Sequence, residues 1–240
     1  QPCPGCLGGA SHISFGSAHV MRIGPILISL LGGFALLLLC LVPGEGLAAI
    51  SDYQARTLDV IETDHLGVPI SFPSTIFYDH AGDEIYVTDA SKGQVVILAS
   101  DYFPQLAVGE GRGIQAIFSA YVHKGKVYFC VGRSDDDPRG HIAVFNSALL
   151  PVKRVFFSGF PNAEDFIPRK MVIGNNGLLY VVGVNSSAVK VLDQEGNFLR
   201  EMLPVDEVLG VPEDASILSL TLGKDGSLYF LSEERGRVFV

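Results

Sequence analysis

One short pattern occurs four times along the chain, and it limits the possible folds more than any other feature. Each copy is a glycine turn followed by a strand whose centre is an aliphatic residue next to a tyrosine. The tyrosines are spaced 42, 52 and 49 residues apart. Repeats of this length made of short strands indicate a stack or ring of similar units rather than one continuous sheet. The four tyrosines are Tyr86, Tyr128, Tyr180 and Tyr229.

The segments around each tyrosine strand repeat as well. An apolar strand precedes the glycine turn, as at 169–173, and a second β-rich segment follows after a polar loop, as at 141–145 and 188–192. A fourth strand is clearest at Phe198–Met202. Four antiparallel strands in 40–50 residues are typical of a propeller blade. The sequence therefore predicts an all-β fold, a β-propeller of four-stranded antiparallel blades with the tyrosine strand second in each, and no helix longer than two turns after residue 50.

The repeat resembles the NHL family of β-propellers. Residues 176–181, Asn-Gly-Leu-Leu-Tyr-Val, and then 189–196, Val-Lys-Val-Leu-Asp-Gln-Glu-Gly, are similar to the NHL pattern of glycine, hydrophobic residue and Tyr-Val, followed by Val-x-Val-hydrophobic-Asp-x-x-Gly. Residues 72–76 before 82–89 resemble the proline-led first strand and the Tyr-Val-x-Asp of that family. The aspartate after the tyrosine strand occurs only as Asp89, and the second repeat carries a long insert. The resemblance is specific for the fold and weak for the function.

The resemblance also implies a blade count. NHL propellers usually close with about six blades, whereas four repeats are present here, the last ending after its third strand at Val240. We therefore expect a propeller that is incomplete at its C-terminal end. Residues 56–62 resemble the outer strand of a blade and would close the ring against a further C-terminal blade.

A hydrophobic segment precedes the repeats. Residues 23–42 carry no charge, and Arg22 stands just before them. Together with the small residues at 46–49, this run fits a cleaved signal peptide. It also fits an uncleaved membrane anchor, since about 20 apolar residues span a bilayer, and a lipid anchor on Cys40 is the third option. All three interpretations place the repeats outside the cytoplasm, so that they are periplasmic, extracellular or membrane-anchored.

These features divide the chain into three parts. Residues 1–20 are interpreted as an over-extended gene start or a non-native segment. Residues 21–49 are a signal peptide or membrane anchor with one hydrophobic helix, which is also the part of the chain expected to touch a membrane if it stays uncleaved. Residues 50–240 are the NHL-type propeller.

Charge narrows the range of partners. The chain has 17 Lys and Arg against 26 Asp and Glu, which gives a formal net charge of −9. Binding to nucleic acid requires a basic surface, because the phosphate backbone dominates the affinity. The composition therefore excludes nucleic acid as the expected ligand.

Strand direction assigns the loops to two faces. Strands alternate in direction within a blade, so the glycine turns between first and second strands share one side with the third-to-fourth turns. We call this side the turn face. The second-to-third loops and the loops between blades share the other side, the loop face, where longer and more acidic segments are expected to converge. The predicted loop-face carboxylates are Asp64, Glu110, Asp135, Asp136, Asp137, Glu164, Asp165, Glu213 and Asp214.

Two of these carboxylate pairs occupy equivalent places. Asp165 and Asp214 each stand twelve residues before the glycine of the next turn. Because Ca²⁺ takes six to eight oxygen ligands, Glu164, Asp165, Glu213 and Asp214 are a candidate Ca²⁺ site, the only cofactor the sequence suggests. The alternative is a solvated acidic surface. The 135–137 loop lacks the spacing of an EF-hand, and it is predicted to contact a binding partner.

Two adjacent cations form a further candidate binding site. Arg169 and Lys170 begin an inner strand near the predicted mouth of the channel. One of them could face the channel and bind an anionic ligand, while strand alternation would send the other away. The alternative is an ion pair with Glu164 or Asp165.

The function predicted from these features is binding rather than catalysis. We expect an exported scaffolding or binding module that contacts another protein or a polymer at the cell envelope or outside the cell, since blades supply rigidity and loops supply contacts. The alternative is a channel-type hydrolase or lyase acting on a small molecule. An enzyme should bring titratable side chains together in the channel, and the sequence offers no catalytic residue by motif.

Overall fold

The computed structural model describes residues 57–205, 210–212 and 215–240. Within them the regular structure is almost entirely β-strand, with two three-residue 3₁₀ turns at Glu110–Arg112 and Ala163–Asp165.

The strands form four sheets, which we call blades 1 to 4. Blade 1 contains β1 (Pro73–Asp79), β2 (Glu84–Asp89), β3 (Gln94–Leu98) and β4 (Pro104–Val108). Blade 2 contains β5 (Ile117–His123), β6 (Lys126–Val131), β7 (His141–Asn146) and β8 (Pro151–Val155). Blade 3 contains β9 (Pro168–Ile173), β10 (Leu179–Gly183), β11 (Val189–Leu192) and β12 (Phe198–Met202). Blade 4 contains β13 (Ser219–Leu222), β14 (Leu228–Ser232) and β15 (Arg237–Phe239).

Strand order and direction confirm the predicted blade. In every sheet consecutive strands are neighbours and antiparallel, and the tyrosine lies on the second strand. The fourth blade contains three strands in the described part of the chain, as expected. The arrangement is a β-propeller of four blades.

The hydrophobic core consists of layers between successive blades rather than one central cluster. Between blades 1 and 2, the rings of Phe129 and Phe145 meet edge to face at 5.4 Å, and both are fully buried. A second layer around Met171 lies between blades 2 and 3, and a third around Leu220 lies between blades 3 and 4. Because alternate side chains of a strand point to opposite faces, each inner blade contributes to two layers. This explains why its strands read as continuous apolar runs.

The outer strand expected at 56–62 is not formed within residues 57–62, and its pairing with a further C-terminal blade stays a prediction. Residues 57–62 form no strand, and Leu58 and Val60 are about 70% exposed. The chain instead closes a small loop at Asp64, whose carboxylate accepts hydrogen bonds from the backbone N–H groups of Leu66 and Val68 at 2.9 and 3.0 Å. An aspartate that satisfies nearby backbone donors favours a turn over a strand ladder.

The N-terminal predictions lie outside the described residues. These are the segment 1–20, the hydrophobic helix at 23–42 and the export signal at 21–49. Among the residues that are described, no helix is long and apolar enough to cross a membrane.

Candidate functional site

The loop face is built from two kinds of segment, as the strand directions require. Loops between blades cover 109–116 and 156–167, and second-to-third loops cover 132–140 and 184–188. The two kinds meet directly, because Arg133 pairs with the carboxylate of Asp165 and also donates to its backbone oxygen at 3.1 Å. This face therefore forms a continuous surface across blades 2 and 3.

Asp137 is the least exposed carboxylate of the acidic loop in blade 2. A tight turn holds it, with its N–H donating to Ser134 Oγ at 3.1 Å and Ser134 N–H donating to its carbonyl oxygen at 2.8 Å. Arg154 on β8 donates from Nη1 to Asp137 Oδ2 at 2.8 Å. Only 15% of the Asp137 side chain is exposed. Of the three carboxylates predicted to contact a partner, Asp135 and Asp136 are exposed and Asp137 is mostly buried.

His141, the first residue of β7, is buried behind this turn. Its Nδ1 lies 3.1 Å from the carbonyl oxygen of Arg139 and 3.5 Å from Asp137 Oδ2. Burial lowers the pKa of the imidazole, and the Arg139 carbonyl and Asp137 oppose that shift. The neutral ring with a proton on Nδ1 fits this geometry, since Nδ1 then donates to the carbonyl. Nε2 is also buried and forms no hydrogen bond with any described residue.

A polar cavity of about 270 Å³ opens beside these residues. Its walls come from the loop between blades 1 and 2 and from the acidic loop of blade 2. Charges of both signs line it, so a ligand would meet hydrogen-bond donors and acceptors together. The charged lining residues are Glu110, Asp136, Asp137, His141 in its protonated form, and Arg154.

A larger cavity of about 450 Å³ lies at the equivalent place in blade 3. Phenylalanine rings wall one side, and the amides and hydroxyls of the 184–188 loop line another. Lys190 is held between its ion-pair partner Glu201 and the rings of Phe160 and Phe198, whose centres lie 5.4 and 5.9 Å from Nζ. Because cation–π contact and ion pair both use the ammonium group, Lys190 serves as a wall of this cavity rather than as a free charge.

Only two of the four residues of the candidate Ca²⁺ site, Glu164 and Asp165, lie in the described part of the chain. Glu164 and Asp165 are exposed in a 3₁₀ turn between blades 2 and 3, and the charge of Asp165 is paired with Arg133. Glu213 and Asp214 lie outside the described residues. Among those that are described, no three His, Cys, Asp or Glu side chains come together as metal ligands. The cation site therefore stays a prediction.

Arg169 and Lys170 lie at the start of the inner strand β9, as predicted, and both are half-buried. The alternative was an ion pair with Glu164 or Asp165, and of these Asp165 is paired with Arg133 instead. Neither cation has an ion-pair partner among the described residues. Burial lowers the pKa of Lys170.

Sequence reasoning missed His141, Arg154 and the Lys190–Glu201 pair. Lys190 and Glu201 are directly opposite across β11 and β12, which a register alignment of the third and fourth strands would have shown. No sequence signal marks His141 as buried, because it packs on residues distant in sequence such as Phe156, whose ring centre lies 5.4 Å away.

Comparisons with known proteins concern the fold. No family model and no curated protein matches the chain. Similar solved structures include virginiamycin B lyase from Staphylococcus aureus, with 16% identity, a TM-score of 0.46 and coverage of 71% of this chain and 55% of that chain. Another is a streptogramin B lyase, with 16% identity, a TM-score of 0.47 and coverage of 70% and 53%. A protein of unknown function from Bacteroides caccae has 14% identity, a TM-score of 0.45 and coverage of 70% and 59%. The chain thus spans a little over half the length of these proteins, and the propeller assignment rests on its own strand order.

Proposed function

We propose that the chain is an exported NHL-type propeller that binds another protein or a surface polymer through its loop face. The observation that supports this is the pair of cavities, about 270 and 450 Å³, at equivalent places of successive blades on that face. Both cavities combine polar groups with apolar ones, and phenylalanine rings line the larger. Cavities of about this size are suited to small segments of a larger ligand. Two such sites side by side allow one extended partner to occupy both, which strengthens binding through a raised effective concentration.

Affinity capture with face-specific variants tests this proposal. The tagged full-length chain is expressed in its host, and partners are recovered from envelope extract. Asp136→Lys reverses one charge on the loop face. Glu195→Lys is the matched control, since it makes the same charge reversal on the turn face, and both positions are exposed. We expect the partner to be lost with Asp136→Lys and kept with Glu195→Lys. Loss with Glu195→Lys alone would place binding on the turn face and contradict the proposal.

Export is a separate part of the proposal, and it depends on residues 21–49. N-terminal sequencing of protein recovered from outside the cytoplasm should begin near Ala49 or Ile50 if the segment is a signal peptide. A mature chain that retains Leu30 would establish a membrane anchor instead. Protein found only in the cytoplasm would contradict export by either route.

A channel-type hydrolase or lyase is the second candidate. The observation that favours it is the half-buried amine of Lys170 on an inner strand, since a desolvated lysine can act as a nucleophile or base. Turnover of a small molecule that is lost in Lys170→Met and kept in Lys126→Met would support this alternative.

A further inference from the structure

The inner strands of the first three blades share an irregularity near their starts. In blade 1 the pairing register shifts between Pro73 and Thr75, and in blade 2 it shifts between Ile117 and Ser119. In blade 3, Pro168 is opposite Gly183 and Lys170 is opposite Val182, so one residue is again extra. Such bulges change the direction of a side chain and often lie next to functional sites.

The residue after each bulge therefore occupies one equivalent position, which we call the post-bulge position. It is Thr75 in blade 1, Ser119 in blade 2 and Lys170 in blade 3. The extra residue just before it is Ser74, Phe118 or Arg169. Simple strand alternation does not extend across this position.

In blades 1 and 2 the post-bulge residue is a hydroxyl that links to the next blade. Ser119 Oγ donates to the carbonyl oxygen of Arg169 at 2.9 Å, and Thr75 Oγ1 lies 3.5 Å from the carbonyl oxygen of Phe118. Both acceptors are the extra residues of the following blade. The hydroxyls thus form a repeated link between neighbouring inner strands.

Blade 3 departs from this repeat. Lys170 makes no side-chain hydrogen bond or ion pair with any described residue, although acidic residues outnumber basic ones in the chain by 26 to 17. The titratable group that acts on it electrostatically is the thiol of Cys130, whose pKa burial raises to about 12, so that the thiol stays neutral. A half-buried ammonium without a counter-ion is costly to keep. In a repeat protein, such a departure at an otherwise uniform position indicates a functional requirement rather than a packing one.

We propose that Lys170 binds an oxyanion, a carboxylate or phosphate group, that enters the centre of the propeller from the loop face. The start of β9 lies at the same end of the blade as the loop-face segments, which is why the anion is expected to enter from that face. Arg169 adds a second positive charge beside the ammonium group, and no described carboxylate competes for either. The proposal concerns a residue of an inner strand rather than the loops, so it stands apart from the identity of any macromolecular partner.

Thermal unfolding of the full-length chain at pH 7 tests it, with phosphate in one arm and acetate in the other at constant ionic strength. A ligand that binds only the folded state raises the melting temperature by mass action. We expect at least one anion to raise the melting temperature of the wild type, and Lys170→Met to weaken its binding by at least about tenfold. Phosphate also stabilises proteins without binding, so Lys126→Met, an exposed lysine on β6, is the matched control and should respond like the wild type.

Two variants keep the test decisive. Lys170→Met should itself melt higher than the wild type in the absence of anion, because it removes an uncompensated charge. Lys170→Ser restores the residue type of blade 2 and should fold as well. Equal anion responses in wild type and both variants, or no response in the wild type to either anion, would overturn the proposal. Failure of both variants to fold would show that Lys170 is structural and overturn it too.

Discussion

Blades 2 and 3 have cavities at the same place on the loop face, but the charged side chain at one equivalent position has a different ion-pair partner in each blade. Arg154 in blade 2 and Glu201 in blade 3 occupy equivalent positions on their outer strands. Opposite Arg154 stands Ala143, so the guanidinium is free to reach Asp137 in the acidic loop. Opposite Glu201 stands Lys190, and these two close an ion pair within the sheet.

The difference shows how one scaffold produces two kinds of site. In blade 2 the outer strand contributes a charge to the loop, and the cavity becomes polar with a fixed Asp137–Arg154 pair. In blade 3 the two cross-strand charges, Lys190 and Glu201, pair with each other. The cavity there is lined by the amides and hydroxyls of the 184–188 loop and by phenylalanine rings from the loop between blades. A single cross-strand neighbour therefore decides whether the cavity above it is charged.

The largest expected effect comes from the glycine that precedes the third strand in blade 2. A Cβ added at Gly140 would lie 2.4 Å from the carbonyl oxygen of Phe166 and 2.9 Å from the Cα of Ile167, which are backbone atoms of the loop to blade 3. Gly140→Ala should lower the free energy of unfolding by about 3 kcal/mol, since packed backbone moves only at a cost. Ser187, the equivalent residue in blade 3, already has a side chain.

Ser187→Ala is therefore the control, and it should change stability by less than about 0.5 kcal/mol. Denaturant titration of both variants measures the contrast. Equal effects would show that the two loops pack alike and would remove the comparison.

Arg154→Ala should have the next largest effect. It leaves the mostly buried Asp137 carboxylate without its cation, and we expect a loss of about 1 kcal/mol, moderated because Arg154 itself is half-exposed and water reaches it. Arg200→Ala on β12 changes an exposed arginine without a described ion pair and should be close to neutral. If denaturant titration shows that Arg200→Ala lowers the free energy of unfolding as much as Arg154→Ala does, the Asp137–Arg154 pair has no special role.

His141 should make stability depend on pH in a defined window. Burial lowers its folded pKa below the unfolded value of about 6.5, so the unfolded chain takes up a proton more readily. The stability contributed by the neutral ring is full above pH ~6.5 and is lost as pH falls through the folded pKa. Gln94 stands at the equivalent position in blade 1, which makes His141→Gln a conservative test.

The measurement is the free energy of unfolding at intervals from pH 7.5 to 5. His141→Gln should flatten the decline in this range, and His80→Gln, at an exposed histidine, should not. An unchanged slope in His141→Gln would show that other groups cause the pH dependence.

The smallest effect is expected for the ion pair in blade 3. A double-mutant cycle with Lys190→Met and Glu201→Gln should give a coupling energy of about 0.5 kcal/mol, because Glu201 is 41% exposed and pairs at this exposure are weak. The value should fall at high salt. A coupling above that of Asp137 and Arg154 would reverse the ranking of the two blades.

The sequence was sufficient for the blades and insufficient for the site. Glycine turns, tyrosine strands and their spacing are local signals, so strand order and the position of Phe198–Met202 followed from them. The site depends on contacts between residues far apart in sequence. Asp165 pairs with Arg133 rather than with Arg169 or Lys170. The bulge at Arg169 interrupts the in-and-out alternation of the strand, so the sequence pattern alone does not give the direction of the Lys170 side chain. Residues 57–62 have strand-like composition, but they pair with no strand of the described residues.

Crosslinking in the producing cell tests the central claim, binding through the loop face, most directly. A photo-reactive amino acid is placed at Asp136 or Val184 on the loop face, and at Lys126 or Lys224 on the turn face, all exposed positions. We expect crosslinks to the same partner from the two loop-face positions and none from the turn face. Crosslinks from Lys126 or Lys224 with none from Asp136 or Val184 would contradict it.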